Sequence, residues 1–200
     1  MDTQQVVDQM GSKVQVPLRP QVIVSLVPSQ TELLYDLGLK YQIGGVTKFC
    51  IHPKDKGGQV LKVGGTKRFD FKKIDEINPD IIIGNKEENY QEGIFKLKES
   101  YPVWMSDIRT LDDALEMIHQ VGYITGKHLK ASALINAIKS GFAGIKKHKP
   151  KRALYFIWRK PYMVAGKGTF IDEMLSELGF INAAKEERYP ELDISAIKNL

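Results

Sequence analysis

A short run rich in β-branched residues, VIVSL at 22–26, passes at once into PSQTELLYDLG, and this strand-then-helix order recurs along the chain. A run of that length and composition reads as a buried strand. In the segment that follows it, Ser29 and Glu32 have capping-box spacing, Leu33, Leu34 and Leu37 supply an apolar face, and Gly38 is a natural stop. The same grammar returns in IGGVT, FKKIDEI and NPDIIIG, and again in YQEGIFKLKES before YPVWMS. Short strands alternating with helices predict an α/β fold with a mostly parallel sheet and helices on its faces. Ligands of such sheets gather at the carboxyl ends of the strands, where Pro28 and the segments 47–53 and 85–89 are expected.

From residue 111 to about 147 the pattern is helical, with TLDDALEMIHQVGYITG and KHLKASALINAIKSGFAGIKKHK meeting near Gly126. The α/β grammar then resumes with RALYFIW as a strand, AGKGT as a glycine turn and FIDEMLSELG as a helix. The expected organisation is an N-terminal α/β lobe over 1–110, a helical spine over 111–149 and a C-terminal α/β lobe over 150–200. Only one firm strand and two helices are readable in the last part, so the second lobe is expected to be incomplete at its C-terminus.

Several function classes drop out. With 42% hydrophobic and 26% charged residues and no low-complexity tract, the chain is expected to be globular rather than disordered. The single cysteine makes an internal disulfide impossible. No apolar run approaches the roughly 18 to 20 residues of a membrane span, and the opening MDTQQVVDQMGS lacks the basic-then-apolar build of a signal peptide. The net charge of +5 suggests nucleic acid, yet the lysines are scattered. The one dense cluster, KKHKPKR at 146–152, follows a helical pattern whose C-terminus favours cations, and no aromatic is interleaved to stack bases. No nucleic-acid partner is expected. AGKGT is not a phosphate loop, because Gly168 separates Lys167 from Thr169.

The segment TKFCIHP holds Cys50, with His52 two residues on. In an extended chain both side chains point the same way and could act as paired metal ligands. Zinc would need a third and usually a fourth ligand, for which Glu87, Glu88 and His119 are the candidates. A Cys–His nucleophile would need mutual contact, an orienting group and an oxyanion site, and the last two are not visible. The remaining reading is a pocket wall. Glu87 and Glu88, in the loop GNKEEN, form either a solvated turn or a contact to a cation or a ligand amide.

IVSLVPSQTELLYDLGL, GGVTKFCIHP, KVGGT, INPDIIIG, AGKGTFIDEMLSELG and YPELDISAIKNL resemble, in order and approximate spacing, the helical-backbone periplasmic substrate-binding proteins of ABC importers. The resemblance covers nearly the whole chain, includes an opening hairpin, and is greatest to the branch that binds cobalamin and ferric siderophores, above all the vitamin B12-binding proteins. It implies two Rossmann-like lobes bridged by a long helix, further strand and helix elements after residue 200, and ligand held in a cleft without chemistry. No cofactor is required, and a corrinoid or iron chelate is the transported ligand. The partner implied is an ABC permease dimer, hence peripheral contact with a membrane complex, in the periplasm. A cytoplasmic corrinoid- or metal-handling protein, or a metal-dependent enzyme using Cys50 and His52, is the alternative from another class. A ferric-siderophore-binding protein is the alternative within the family.

The resemblance places Pro28, Phe49, Cys50, His52, Thr66 and Lys67 at the ligand from the first lobe, and Trp158, Arg159 and Tyr189 from the second. His52 would ligate cobalt axially or hydrogen-bond corrin amides while Phe49 packs the macrocycle. Trp158, closing an apolar strand, reads as core or cleft, and the RKP after it favours the cleft. For permease docking the family position falls on Glu32 in the first lobe and on Glu173 in the second, with Glu177 one helical turn later.

Overall fold

The computed structural model describes residues 2–54, 60–146 and 149–199. Residues 147 and 148, which belong to both the basic cluster and the expected spine, lie outside the described residues. The chain divides into two units: Met1–Asp107 with Met117–Ala133, and Ile108–Glu116 with Leu134–Leu200.

The first unit opens with an antiparallel hairpin of β1 (Thr3–Val7) and β2 (Lys13–Pro17). Asp8 shapes its turn, its Oδ1 accepting from the backbone nitrogens of Met10 and Ser12 at 3.0 and 2.7 Å. There follow β3 (Ile23–Ser25), α1 (Pro28–Asp36), β4 (Ile43–Val46), β5 (Leu61–Lys62), the small hairpin of β6 (Gly64–Gly65) and β7 (Arg68–Phe69), α2 (Phe71–Ile77), β8 (Ile81–Asn85), α3 (Gln91–Lys98) and β9 (Val103–Ser106).

Five of these strands form the expected parallel sheet, in the order β5-β4-β3-β8-β9. Residues of both facings, Val24 and Ile23 in β3 and Ile81, Ile82 and Ile83 in β8, are fully buried, as in a sheet covered on both sides. On one face Val24, Leu26 and Ile82 pack with Phe69, Ile74 and Ile94. The chain leaves β3 through α1 to β4 on one side and later places β8 on the other, so the strand order reverses at β3. The ligand crevice of an open α/β sheet lies outside the carboxyl ends of the strands at such a reversal.

The start of α1 differs from the expected capping box. Val27 is the N-cap, with an extended backbone, Pro28 occupies the first helical position, and no side chain caps the helix. Proline is pre-set for that position by its fixed φ and missing N–H, which puts Ser29 inside the helix.

α4 (Leu111–Ile124) and α5 (His128–Ala143) fill most of the expected spine, with Gly126 between them at φ 69°, and each runs across the division between the units. The second unit continues with β10 (Lys151–Ala153), β11 (Phe156–Trp158), β12 (Tyr162–Val164), α6 (Phe170–Glu177), β13 (Phe180–Asn182), β14 (Glu191–Leu192) and α7 (Ile194–Lys198). RALYFIW is therefore not one strand. The Ala153 carbonyl accepts from Ala183 while the Tyr155 carbonyl accepts from Ala165, so β10 joins β13 in one sheet and β11 joins β12 and β14 in another. AGKGT opens α6 as expected, with the Thr169 hydroxyl accepting from the Asp172 backbone at 3.1 Å.

Candidate functional site

Beyond the carboxyl ends of β3, β4 and β8 lies a cavity of about 390 Å³ lined by Val27, Pro28, Ser29, Phe49, Thr66 and Glu88. Four of the residues singled out from the sequence, Pro28, Phe49, Thr66 and Glu88, thus come together at the topological reversal of the sheet.

The loops carrying them are fastened by side-chain amides. Asn85 Oδ1 accepts from the backbone nitrogens of Glu87 and Glu88 at 2.9 and 3.2 Å, shaping the acidic loop. Asn89 turns back on the same loop: its Oδ1 accepts from Asn85 N at 2.9 Å, and its Nδ2 donates to the Thr66 carbonyl at 3.2 Å. Gly84 makes room for this, since a Cβ there would lie 2.8 Å from Asn89 Oδ1. Gln30, inside α1, donates to the Gly84 carbonyl at 3.0 Å and to Ser106 Oγ at 2.7 Å, and Asn85 Nδ2 also donates to Ser106 Oγ at 3.0 Å. Side-chain amides bonded to backbone and hydroxyl groups in a network of this kind hold backbone segments in one arrangement, although Gln30 Oε1 is buried without a partner among the described residues. Asn89, Gln30 and Ser106 carry no sequence signal of this role.

A second depression, of about 640 Å³, adjoins the β6–β7 hairpin and shares Phe49 and Thr66 with the first; Lys48, Lys67, Arg68 and Phe71 also line it. Lys67 reaches across to donate to the Glu87 carbonyl at 2.8 Å. Phe49 is half exposed and available to a ligand, whereas Thr66 is buried and shows the site little more than its edge.

The reading of TKFCIHP as extended chain is corrected. The Thr47 carbonyl accepts from Cys50 N at 3.1 Å, closing a turn, and the two-residue alternation that would have aligned Cys50 with His52 does not apply. Cys50 is 1% exposed, with its sulfur 3.1 Å from Thr31 Oγ1 and 3.2 Å from Thr47 Oγ1, while His52 is exposed. Cys50 is thus a core residue rather than a ligand contact. Among the described residues no group of three His, Cys, Asp or Glu side chains is placed to hold a metal ion, and this includes His119, exposed on α4.

In the second unit Trp158 and Arg159 line a cavity of about 390 Å³ together with Phe156, Ile157 and Tyr162. Trp158 is a surface residue, 65% exposed, its indole nitrogen donating to the Lys160 carbonyl at 3.0 Å. Tyr162, 5.8 Å from Phe156 between ring centres, was not singled out by sequence because it enters through the pairing of β11 with β12. Tyr189 does not line this cavity; it is half-buried, with the Arg188 guanidinium carbon 5.3 Å from its ring centre. Glu32 is exposed on α1, and Glu173 and Glu177 are half-buried on α6.

Residues 23–200 match the sequence model of the periplasmic binding protein family. The chain belongs to that family. Among its relatives, the ABC transporter substrate-binding lipoprotein YvrC of Bacillus subtilis is 28% identical over 192 residues, covering 90% of this chain and 60% of that protein. A vitamin B12-binding protein of Vibrio cholerae is 22% identical over 188 residues, covering 90% of this chain and 68% of that one. This family member therefore spans only 60% of the length of the Bacillus relative. The crystal structure of the periplasmic vitamin B12 binding protein BtuF of Vibrio cholerae superposes with a TM-score of 0.77 at 24% identity, over 90% of this chain and 73% of that one. A possible iron-binding periplasmic solute-binding protein from Staphylococcus epidermidis gives 0.77 at 23% identity, over 90% and 74%. These structures establish the shared fold. Among the described residues no helix is long and apolar enough to cross a membrane.

Proposed function

We propose that this protein is the substrate-binding component of an ABC importer and captures a corrinoid or related metal chelate without chemically altering it. The observation that carries the reading is the cavity at the reversal of the parallel sheet, where Pro28, Phe49, Thr66 and Glu88 meet on loops fastened by Asn85 and Asn89. Loops pinned in this way favour binding, because little ordering entropy is left to lose when ligand arrives. The ligand class is drawn from the functions of the relatives, and the exposed face of Phe49 suits a large, partly apolar chelate. The metal arrives within the cargo, so no resident cofactor is called for. The partner is a permease pair met through Glu32 and through Glu173 or Glu177. A metal-dependent enzyme working through Cys50 and His52 is disfavoured by the burial of the thiol.

Calorimetry and thermal shift with cyanocobalamin, hemin and a ferric siderophore test the proposal. Micromolar or tighter binding of one of them, with a rise in melting temperature, is expected. No heat and no shift with any of the three would overturn it, and a response to the siderophore alone would move the ligand to that branch.

A further inference from the structure

We propose that the β6–β7 hairpin and Lys48 form an anion-recognising rim, so that the chelate this protein takes carries carboxylate or phosphate oxygens and is selected over uncharged chelates of similar size. This rests on the binding reading above and adds the charge class of the ligand.

The hairpin is built for display. β6 and β7 pair Gly64 with Phe69 and Gly65 with Arg68, leaving Thr66 and Lys67 as the turn. Gly64 sits at φ 99°, where an added Cβ would collide with the Arg68 carbonyl, so the reversal is tight and specific to glycine. Thr66 is buried and tied through its carbonyl to Asn89, while Lys67 and Arg68 are exposed at the tip. Lys48 approaches from the loop after β4, its ammonium 5.1 Å from the Phe49 ring centre. A Cβ on Gly65 would lie 3.4 Å from both Lys48 Cε and Phe49 Cε2, so those two side chains lie against the hairpin.

Lys48, Lys67 and Arg68 therefore border one depression. Among its described lining residues Asp70 is the one acid, and its carboxylate is already engaged: Oδ1 accepts from Lys73 N at 3.3 Å and Oδ2 is 3.7 Å from Lys73 Nζ. Among the described residues none of the three cations forms an ion pair. The Lys67 ammonium is held by the Glu87 carbonyl, which positions the charge without cancelling it. Lys62 shows the contrast. Its ammonium donates to the carbonyls of Thr47 and Cys50 at 3.3 and 3.0 Å and serves the loop itself. Three gathered like charges repel one another in the free protein, and an anion within the depression would relieve that repulsion while accepting charge-assisted hydrogen bonds.

The test uses the whole chain with hemin, which carries two carboxylates, and with its dimethyl ester, the same macrocycle without them. Hemin should bind at least about tenfold more tightly than the ester, a difference of about 1.4 kcal/mol. The double variant Lys67→Gln with Arg68→Gln should lose that preference, its hemin affinity falling towards that for the ester, and its melting temperature is measured alongside to show that the fold is kept. The preference should also shrink at high salt. Competition by citrate assigns carboxylate recognition, and competition by pyrophosphate assigns phosphate recognition. Equal affinities for hemin and ester, unmoved by the double variant, would overturn the rim and leave the binding reading standing. So would tight cyanocobalamin binding indifferent to the two substitutions. Failure of hemin, ester, ferric citrate and cyanocobalamin alike to bind would overturn both.

Discussion

The Thr31 hydroxyl lies 3.1 Å from the Cys50 sulfur, joining the first turns of α1 to the loop that presents Phe49. Thr47 adds a second hydroxyl at 3.2 Å, and Lys62 caps the carbonyl of Cys50 at 3.0 Å. The thiol is a structural peg under the site.

Cys50→Ala should accordingly lower stability by about 1–2 kcal/mol, a drop of a few degrees in melting temperature. The native thiol should react with a disulfide reagent only after unfolding, since a buried thiol is inert. Rapid labelling of the folded protein would show that the loop opens.

Asn89→Ala removes the acceptor for Asn85 N and the donor to the Thr66 carbonyl, leaving buried backbone groups without those partners. A loss of roughly 2–3 kcal/mol is expected in urea denaturation. Ligand affinity measured by calorimetry should fall as well, because the hairpin and the acidic loop lose their common fastening.

Trp158 is 65% exposed, so its truncation should weaken ligand binding and leave folding nearly untouched. Trp158→Ala is expected to cost about tenfold or more in affinity, with the melting temperature within about one degree. A large fall in stability with unchanged affinity would return Trp158 to a packing role.

Glu32 is exposed, and α1 starts without any side-chain cap, which removes capping as a competing role for it. Glu32→Lys should weaken capture by the permease, more at low salt than at high, while ligand affinity stays within about twofold. Unchanged docking in a reconstituted importer would reject Glu32 as a contact.

Asp113, at the start of α4, accepts from the backbone nitrogens of Arg109 and Thr110 at 3.0 and 2.9 Å, and its own nitrogen donates to the Thr110 hydroxyl at 3.1 Å. Burial pushes its carboxyl up, but the hydrogen bonds from the Arg109 backbone and from Thr110, with the Arg109 charge, outweigh it and hold the group below its usual range. A carboxyl lowered on folding adds stability that is present in full above its unfolded value near ~4 and is lost as the pH falls through the folded value. Asp113→Ala should therefore cost roughly 1 kcal/mol at neutral pH, and the difference from the parent should shrink towards pH 3 in urea titrations.

The alternation of strands and helices in the first unit was legible because burial leaves a local mark: VIVSL and DIIIG are apolar on both facings, and the leucines of α1 recur at helical spacing. That alternation also placed Pro28, Phe49 and Glu88 at strand ends, the family resemblance added Thr66, and the structure brings the four together. Three things were decided only by tertiary structure. Cys50 turned inward because a local turn broke the two-residue period and distant Thr31 received the sulfur. RALYFIW split because Ala153 and Tyr155 found different strand partners. Asn89 became the fastening of the site because Gly84 left room for it and Thr66, 23 residues away, offered a carbonyl. Periodicity records which face of an element avoids water, whereas these outcomes depend on which polar group or strand edge arrives opposite, and that is fixed only when segments remote in sequence pack together.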